Sequence, residues 1–236
     1  MKGIIDNMKD IKAILFDSGR TLNVPRTGHW FITPNFFNIL RNSQFIVSDI
    51  KLDEAIRKAY SHIEKILLVE TEEREFIMFK EFYEIVLKEI NYPNINQEII
   101  ELLARDNVYN DEKFLFFDDV EGSLANLKEK YLLGVVSDTW PSLERVFINK
   151  NLKQYFSTFI MSSIYGSLKA DKILFKKAIE ELGVKPEETI FIDDSELNLI
   201  AAEEFGMIPI LIDRYNIKDI KSRYKIIESI NELLSL

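Results

Sequence analysis

Four short segments, far apart in the chain, carry side chains able to attack or hold a phosphoryl group: Asp17, Ser137, Lys169 and the adjacent pair Asp193–Asp194. A carboxylate can act as a nucleophile, a hydroxyl or ammonium can hold phosphoryl oxygens, and paired carboxylates can hold a divalent cation. Three of the four follow an apolar run. Ala13-Ile14-Leu15-Phe16 precedes Asp17, Leu132-Leu133-Gly134-Val135-Val136 precedes Ser137, and Thr189-Ile190-Phe191-Ile192 precedes Asp193. Buried parallel strands read as continuous hydrophobic runs, and open α/β sheets bind ligands just beyond the strand carboxyl ends. A carboxylate, a hydroxyl and a carboxylate pair delivered to one sheet edge imply a single site.

The elements that must position these groups alternate. The pattern predicts strands at 132–136, 158–161, 189–192 and 208–212, with helices over 120–130, 141–150, 171–182 and 197–205 between them. Gly183 and Gly206 stand where helices stop, and a last edge strand at 224–227 precedes a terminal helix. This predicts an α/β fold with a doubly wound parallel sheet. Between about Thr33 and Tyr109 glycine disappears and apolar residues fall at helical spacing, in stripes at Ile63, Ile66 and Leu67 and at Phe76, Phe79, Tyr83, Val86 and Ile90. Thr71 is a candidate N-cap for a helix over 71–90, which the earlier stripe would allow to run on from it, and 97–108 predicts another. The block reads as a helical bundle inserted after the first strand. Residues 1–24 and 113–236 would then form the α/β domain and 25–112 a helical cap, whose aromatic residues Phe36, Phe37, Tyr60 and Phe79 suit a bundle core.

The chain has 236 residues, 30 basic and 39 acidic side chains, 47% hydrophobic residues and no cysteine. Lack of cysteine removes disulfides, a thiol nucleophile and thiolate metal sites. A formal charge of −9 without a basic stripe argues against nucleic acid as a partner. It still admits a small phosphorylated substrate, since a bound cation and a lysine can reverse the potential locally. The charged start Met1–Asn7 leaves no room for a signal-peptide core, and no apolar run nears the ~20 residues of a membrane span. The expectation is a cytoplasmic protein, monomer or homodimer.

With these residues in order, the chain resembles the haloacid dehalogenase superfamily, most of whose members are magnesium-dependent phosphatases. Ile14-Leu15-Phe16-Asp17-Ser18-Gly19-Arg20-Thr21-Leu22 resembles the first motif, Ser137 the second, Lys169 the third, and Ile190-Phe191-Ile192-Asp193-Asp194-Ser195, followed by Asn198, the fourth. The resemblance implies a Rossmann-like core with a cap after the first motif. It makes Asp17 the nucleophile that forms an aspartyl-phosphate, while Ser137 and Lys169 hold the phosphoryl group. It places Mg2+ on Asp17, the backbone carbonyl of Gly19, Asp193 and Asp194, with Asp194 as direct ligand and Asp193 behind it. Ser18, Gly19, Arg20 and Asp138 would adjoin the substrate.

Two residues depart from the family pattern. The second aspartate, which protonates the leaving group and later activates water, is Gly19, and the glycine after it is Arg20. General acid–base help is worth about 10²–10⁴-fold, so a weak enzyme is expected. Ala170 and Asp171 replace the usual proline, which makes Lys172 a rival for Lys169. Arg26, His29 and Trp30 follow the first motif and could reach substrate; His29 has the intrinsic pKa of a displaced acid. Three readings stay open: a metal-dependent phosphatase, a metal-independent dehalogenase, and a phosphate-binding regulatory protein without turnover.

Overall fold

The computed structural model describes residues 10–40, 45–216 and 221–235; the charged start Met1–Asn7 lies outside them. In chain order the elements are β1 (Ala13–Phe16), β2 (Asn23–Pro25), α1 (Phe36–Ile39), α2 (Asp49–Ile63), α3 (Glu72–Glu89), α4 (Gln97–Val108), β3 (Phe114–Phe116), α5 (Val120–Leu127), β4 (Leu132–Ser137), α6 (Ser142–Asn149), β5 (Thr158–Met161), α7 (Ser162–Tyr165), α8 (Ile173–Leu182), β6 (Thr189–Asp193), α9 (Glu196–Glu204), β7 (Ile208–Ile212) and β8 (Lys225–Ile227).

Six strands form one parallel sheet in the order β5-β4-β1-β6-β7-β8, the doubly wound α/β arrangement expected from the apolar runs. Phe16 pairs with Val135 on one side and Ile192 on the other, so Asp17, Ser137 and Asp193 emerge together at the carboxyl ends of three central neighbours. Strand burial explains the runs: every residue of β1 and β6 is buried, and helices cover both faces. Gly134 in β4 is dictated by packing, because a Cβ there would lie 2.4 Å from Thr158 Cγ2 and 2.6 Å from Leu15 Cδ2.

The helices α1–α4 enclose a separate aromatic core built on Phe36, Phe79, Phe82 and Tyr83. Their starts are written locally: Ser48, Thr71 and Asn96 each accept a backbone N–H from the third residue on, the N-cap interaction. A short antiparallel ribbon, β2 with β3, joins this layer to the sheet.

Several boundaries differ from the sequence expectation. Helix α2 ends at Ile63, and Ile66 and Leu67 are partly exposed beyond it, so the apolar stripe is interrupted before Thr71 restarts a helix. The helix expected from Asp171 begins at Ile173. The Asp171 carboxylate accepts from Leu168 N and Ser167 Oγ, closing its own short 3-10 turn, and Lys172 then adopts φ 64°. The terminal helix is a 3-10 segment over Ile230–Ser235. Phe36 and Phe79 are fully buried, but Phe37 and Tyr60 are exposed on the surface of the helical layer. No helix among the described residues is long and apolar enough to cross a membrane.

Candidate active site

Asp17 takes its backbone position from the sheet: its N–H continues the ladder to Ile192 O at 2.8 Å. The loop after it is a tight knot. Ser18 O accepts from the N–H groups of Leu22 (2.8 Å) and Asn23 (3.1 Å), and Ser18 Oγ accepts from Asn23 Nδ2 at 2.7 Å. From the far end of the chain, the Arg214 guanidinium donates from Nε (3.0 Å) and Nη2 (2.7 Å) to Thr21 O, pinning the loop. Arg20 holds φ 60°, the conformation for which glycine is the natural residue. Arginine therefore stands where the backbone would suit a glycine.

Around Asp17 the groups converge. Lys169 Nζ donates to Asp17 Oδ1 at 2.6 Å and to Asp193 Oδ2 at 2.7 Å, and Ser137 Oγ donates to the same Asp17 oxygen at 3.0 Å. Asn198 Nδ2 (2.9 Å) and Ser195 N (2.8 Å) complete the shell of Asp193. Lys169 owes its position to the 3-10 turn, whose first N–H is held by Asp138 Oδ1 at 3.0 Å. Asp138 therefore fastens the lysine's backbone. Lys172 points elsewhere and pairs with Glu204 at 2.7 Å.

Electrostatically the cluster carries more negative charge than it balances. Asp17, Asp193 and Lys169 are all buried, and one ammonium faces two carboxylates with Asp194 adjoining. Burial alone would lower Lys169, but Asp17 and Asp193 together hold it above its ordinary value, as a cation. Burial pushes Asp193 up despite the lysine, and Asp17 adds to the rise. Burial and the charge of Asp17 likewise raise Asp194. Such a cluster favours a second cation. Oxygens of Asp17, Asp193 and Asp194 lie within 4.8 Å of one another, an all-oxygen donor set that suits a hard divalent ion. Both Asp193 oxygens already accept hydrogen bonds, whereas Asp194 forms a loose ion pair with Arg20 Nη1 at 3.7 Å.

The cluster opens into a cleft of about 350 Å³ between the sheet edge and the helical layer. Ser18, Gly19, Arg20, Ser137, Asp138 and Lys169 line its floor. Aromatic rings of Trp30, Phe31, Tyr60, Phe114 and Trp140 line its walls. Arg26 is drawn off to Glu112, with Nε donating to its carbonyl at 2.7 Å. His29 is also turned away: Nδ1 accepts from the N–H groups of Phe31 and Ile32, and burial lowers its pKa. Of the three candidates after the first motif, only Trp30 lines the cleft.

Sequence reasoning missed the groups that join the two layers. Glu75, fully buried in α3, accepts from Ser142 N (2.8 Å) and Ser142 Oγ (2.7 Å) at the start of α6. Lys113 Nζ donates to Asn107 Oδ1 at 3.0 Å, and Asn107 Nδ2 to Tyr83 Oη at 2.9 Å. An acid beside two others in one helical turn gives no local sign that it is the buried one.

A family profile for haloacid dehalogenase-like hydrolases matches residues 11–206. A putative pyrophosphatase PpaX of Clostridium perfringens is 31% identical over 171 residues, which are 66% of this chain and 75% of that protein. A glyceraldehyde 3-phosphate phosphatase of Pyrococcus furiosus is 30% identical over 105 residues, 42% of this chain and 44% of its own. The fold is also that of the putative hydrolase YfnB from Bacillus subtilis, in a crystal form bound to magnesium, with TM-score 0.68, 16% identity and 96% and 98% of the two chains covered. From the profile match, the parallel sheet and the convergence of the four segments, the chain belongs to the haloacid dehalogenase-like hydrolases.

Proposed function

We propose that the protein is a magnesium-dependent phosphatase of small phosphorylated molecules, working through an aspartyl-phosphate on Asp17. The observation that carries this reading is Asp17 itself, buried at the floor of the cleft and held at one oxygen by both Lys169 and Ser137. With Oδ1 fixed, Oδ2 is the oxygen left to attack phosphorus. Lys169 and Ser137 then hold the phosphoryl oxygens as charge moves onto them. Asp17, Asp194 and the Gly19 carbonyl would hold the ion, with Asp193 behind them; magnesium there would offset repulsion between the carboxylates and the substrate. Residues 25–112 act as the cap that closes the cleft, over a core of residues 1–24 and 113–236, and the join is the β2–β3 ribbon. The names of the two curated relatives, a pyrophosphatase and a sugar-phosphate phosphatase, favour phosphoryl over carbon–halogen chemistry. A cytoplasmic monomer or homodimer, with neither nucleic acid nor membrane as partner, completes the reading.

The test is phosphate release from a panel of small phosphate esters and anhydrides, with magnesium and with a chelator, for wild type and Asp17→Asn. Release that needs both the ion and Asp17 is expected; release indifferent to Asp17 would overturn the reading. Gly19 specifically favours a second reading, since halide leaves without a proton. Halide release from a haloacid in the presence of chelator would establish it.

A further inference from the structure

The position at which the family carries its acid is bordered by a ring. A Cβ built on Gly19 lies 3.3 Å from Trp30 Cζ2 and 3.8 Å from Cη2, and among the described residues no other heavy atom beyond its chain neighbours comes within 4 Å. No carboxylate, imidazole or amine has moved into that space. The indole is held there: its ring packs at a tilt against Phe114, centroids 5.7 Å apart, and Trp30 O accepts from Asn107 Nδ2 at 3.5 Å.

Other titratable side chains lining the cleft have partners or roles of their own, Asp194 in the candidate metal set. Lys113 faces the Asn107 carboxamide and Asp138 fastens the backbone of Lys169. The phenol of Tyr60 is pushed up by burial, which makes it a poorer acid. A departing oxygen would meet the edge of an indole, which cannot protonate it.

We infer that the substrate is a phosphoryl compound whose leaving oxygen is weakly basic and needs no proton, carried on a flat body that packs against Trp30 and its aromatic neighbours. This rests on the phosphatase reading and narrows it. In the first step Asp17 Oδ2 bonds to phosphorus while the bond from phosphorus to the leaving oxygen breaks. The electron pair departs with that oxygen, which leaves as an anion and takes its proton later from solvent. In the second step water adds to phosphorus, the bond to Asp17 breaks, and the lost water proton passes to solvent. With no base at position 19 to activate that water, the second step is slow and common to all substrates. Leaving-group basicity therefore registers in kcat/KM, and kcat is nearly constant. The flat walls suit a phenolic or enolic ester; an acyl phosphate shares the same leaving-group chemistry.

The experiment compares para-nitrophenyl, phenyl, benzyl and acetyl phosphates with magnesium present, for wild type, Asp17→Asn, Gly19→Asp and the double variant Gly19→Asp, Trp30→Ala. Benzyl phosphate keeps the ring but leaves as an alkoxide, so it separates packing from basicity. Wild type is expected to prefer phenyl over benzyl by roughly 10²-fold or more in kcat/KM, the help an acid would have supplied to the poorer leaving group. Para-nitrophenyl phosphate should release a burst of phenolate equal to the enzyme. An acid at position 19, with room made for it in the double variant, should reduce the phenyl-to-benzyl ratio. A higher kcat/KM for acetyl phosphate than for either aryl ester would overturn the flat body, and the reverse supports it. Equal kcat/KM for phenyl and benzyl phosphates, with release still abolished in Asp17→Asn, would overturn the inference and leave the phosphatase intact. Absence of Asp17-dependent release from all four probes would overturn both.

Discussion

Two buried polar clusters flank the same cleft, and they are built on opposite principles. At the sheet edge one ammonium, Lys169, serves Asp17 and Asp193, with Asp194 close by, so negative charge is left over. At the junction of the layers the partners match. Glu75 is satisfied by two donors of Ser142, Lys113 Nζ donates to Asn107 Oδ1, and Asn107 Nδ2 to Tyr83 Oη, whose hydroxyl donates to Phe31 O at 3.0 Å. Beside them Arg145 joins Glu72, Asp111 and Val108 O. Isolated buried charge is costly, so a cluster that closes on itself holds structure together, and one with surplus negative charge favours a bound cation. On the phosphatase reading the sheet-edge cluster does the chemistry, and the junction cluster is a fastener between the helices and the sheet.

The largest effect that separates them is on turnover. Asp17→Asn keeps the shape of the side chain and relieves the excess charge, so thermal unfolding should show unchanged or slightly raised stability. Phosphate release should fall by about 10⁴-fold or more, as expected for loss of a nucleophile. Glu75→Ala should do the reverse. It strands Ser142 N and Oγ and removes the negative charge nearest Lys113, at a cost of about 2–4 kcal/mol read from denaturant unfolding. Glu75→Gln, which keeps an acceptor, should recover part of that loss. Were Glu75→Ala to leave stability unchanged, the fastener role would be lost.

The contrast also shows what a linear sequence can reveal. The sheet-edge groups follow apolar strands or end them, so alternation of strand and helix was enough to bring Asp17, Ser137 and Asp193 to one edge. Thr71 advertised its helix by local N-cap chemistry. Glu75, Ser142, Lys113 and Trp140 carry no such signal, because their roles depend on which helix face meets the sheet. Glu75 stands 67 positions from its partner Ser142. Trp140 follows β4 yet packs 5.2 Å from Phe79, at the heart of the helical layer. Trp30 was visible as a residue near the site, but its occupation of the space beside Gly19 follows only from the folded ribbon. Lys172 outside the site is the same lesson in reverse: the turn closed by Asp171 decides which of two neighbouring lysines points inward.

A smaller effect is a pH dependence confined to the junction. Burial lowers Lys113 to about 8 from 10.5, with Arg145 adding to the fall and Glu75, Asp106 and Asp111 opposing it. Between these two values the unfolded chain binds more protons than the folded one, so stability rises with pH across that window. Below about 8 the lysine is charged in both states and the slope vanishes. In Lys113→Met the rise should be absent, and the difference between the two unfolding curves should grow from pH 8 to 10.5 by a few kcal/mol at most. A difference independent of pH would show that Lys113 titrates alike in the folded and unfolded chains.

The smallest effect belongs to Arg20, at the rim of the sheet-edge cluster. Its side chain is 62% exposed, its ion pair with Asp194 spans 3.7 Å, and its backbone sits at φ 60°. An exposed pair of that length is worth at most ~1 kcal/mol, while the left-handed conformation costs a non-glycine residue about 1–2 kcal/mol. Arg20→Gly removes both terms, and the greater freedom of glycine in the unfolded chain offsets part of the gain. Arg20→Ala removes only the pair and keeps the strain. The glycine variant should therefore be more stable than the alanine variant by about 1 kcal/mol in denaturant unfolding, whatever the pair contributes. If Arg20 also clamps the substrate phosphate, KM rises equally in both variants; if it faces solvent, KM moves in neither. Equal stability of the two would mean that residue 20 relaxes out of the left-handed region, and that the loop under Asp17 is held by Ser18 and Arg214 alone.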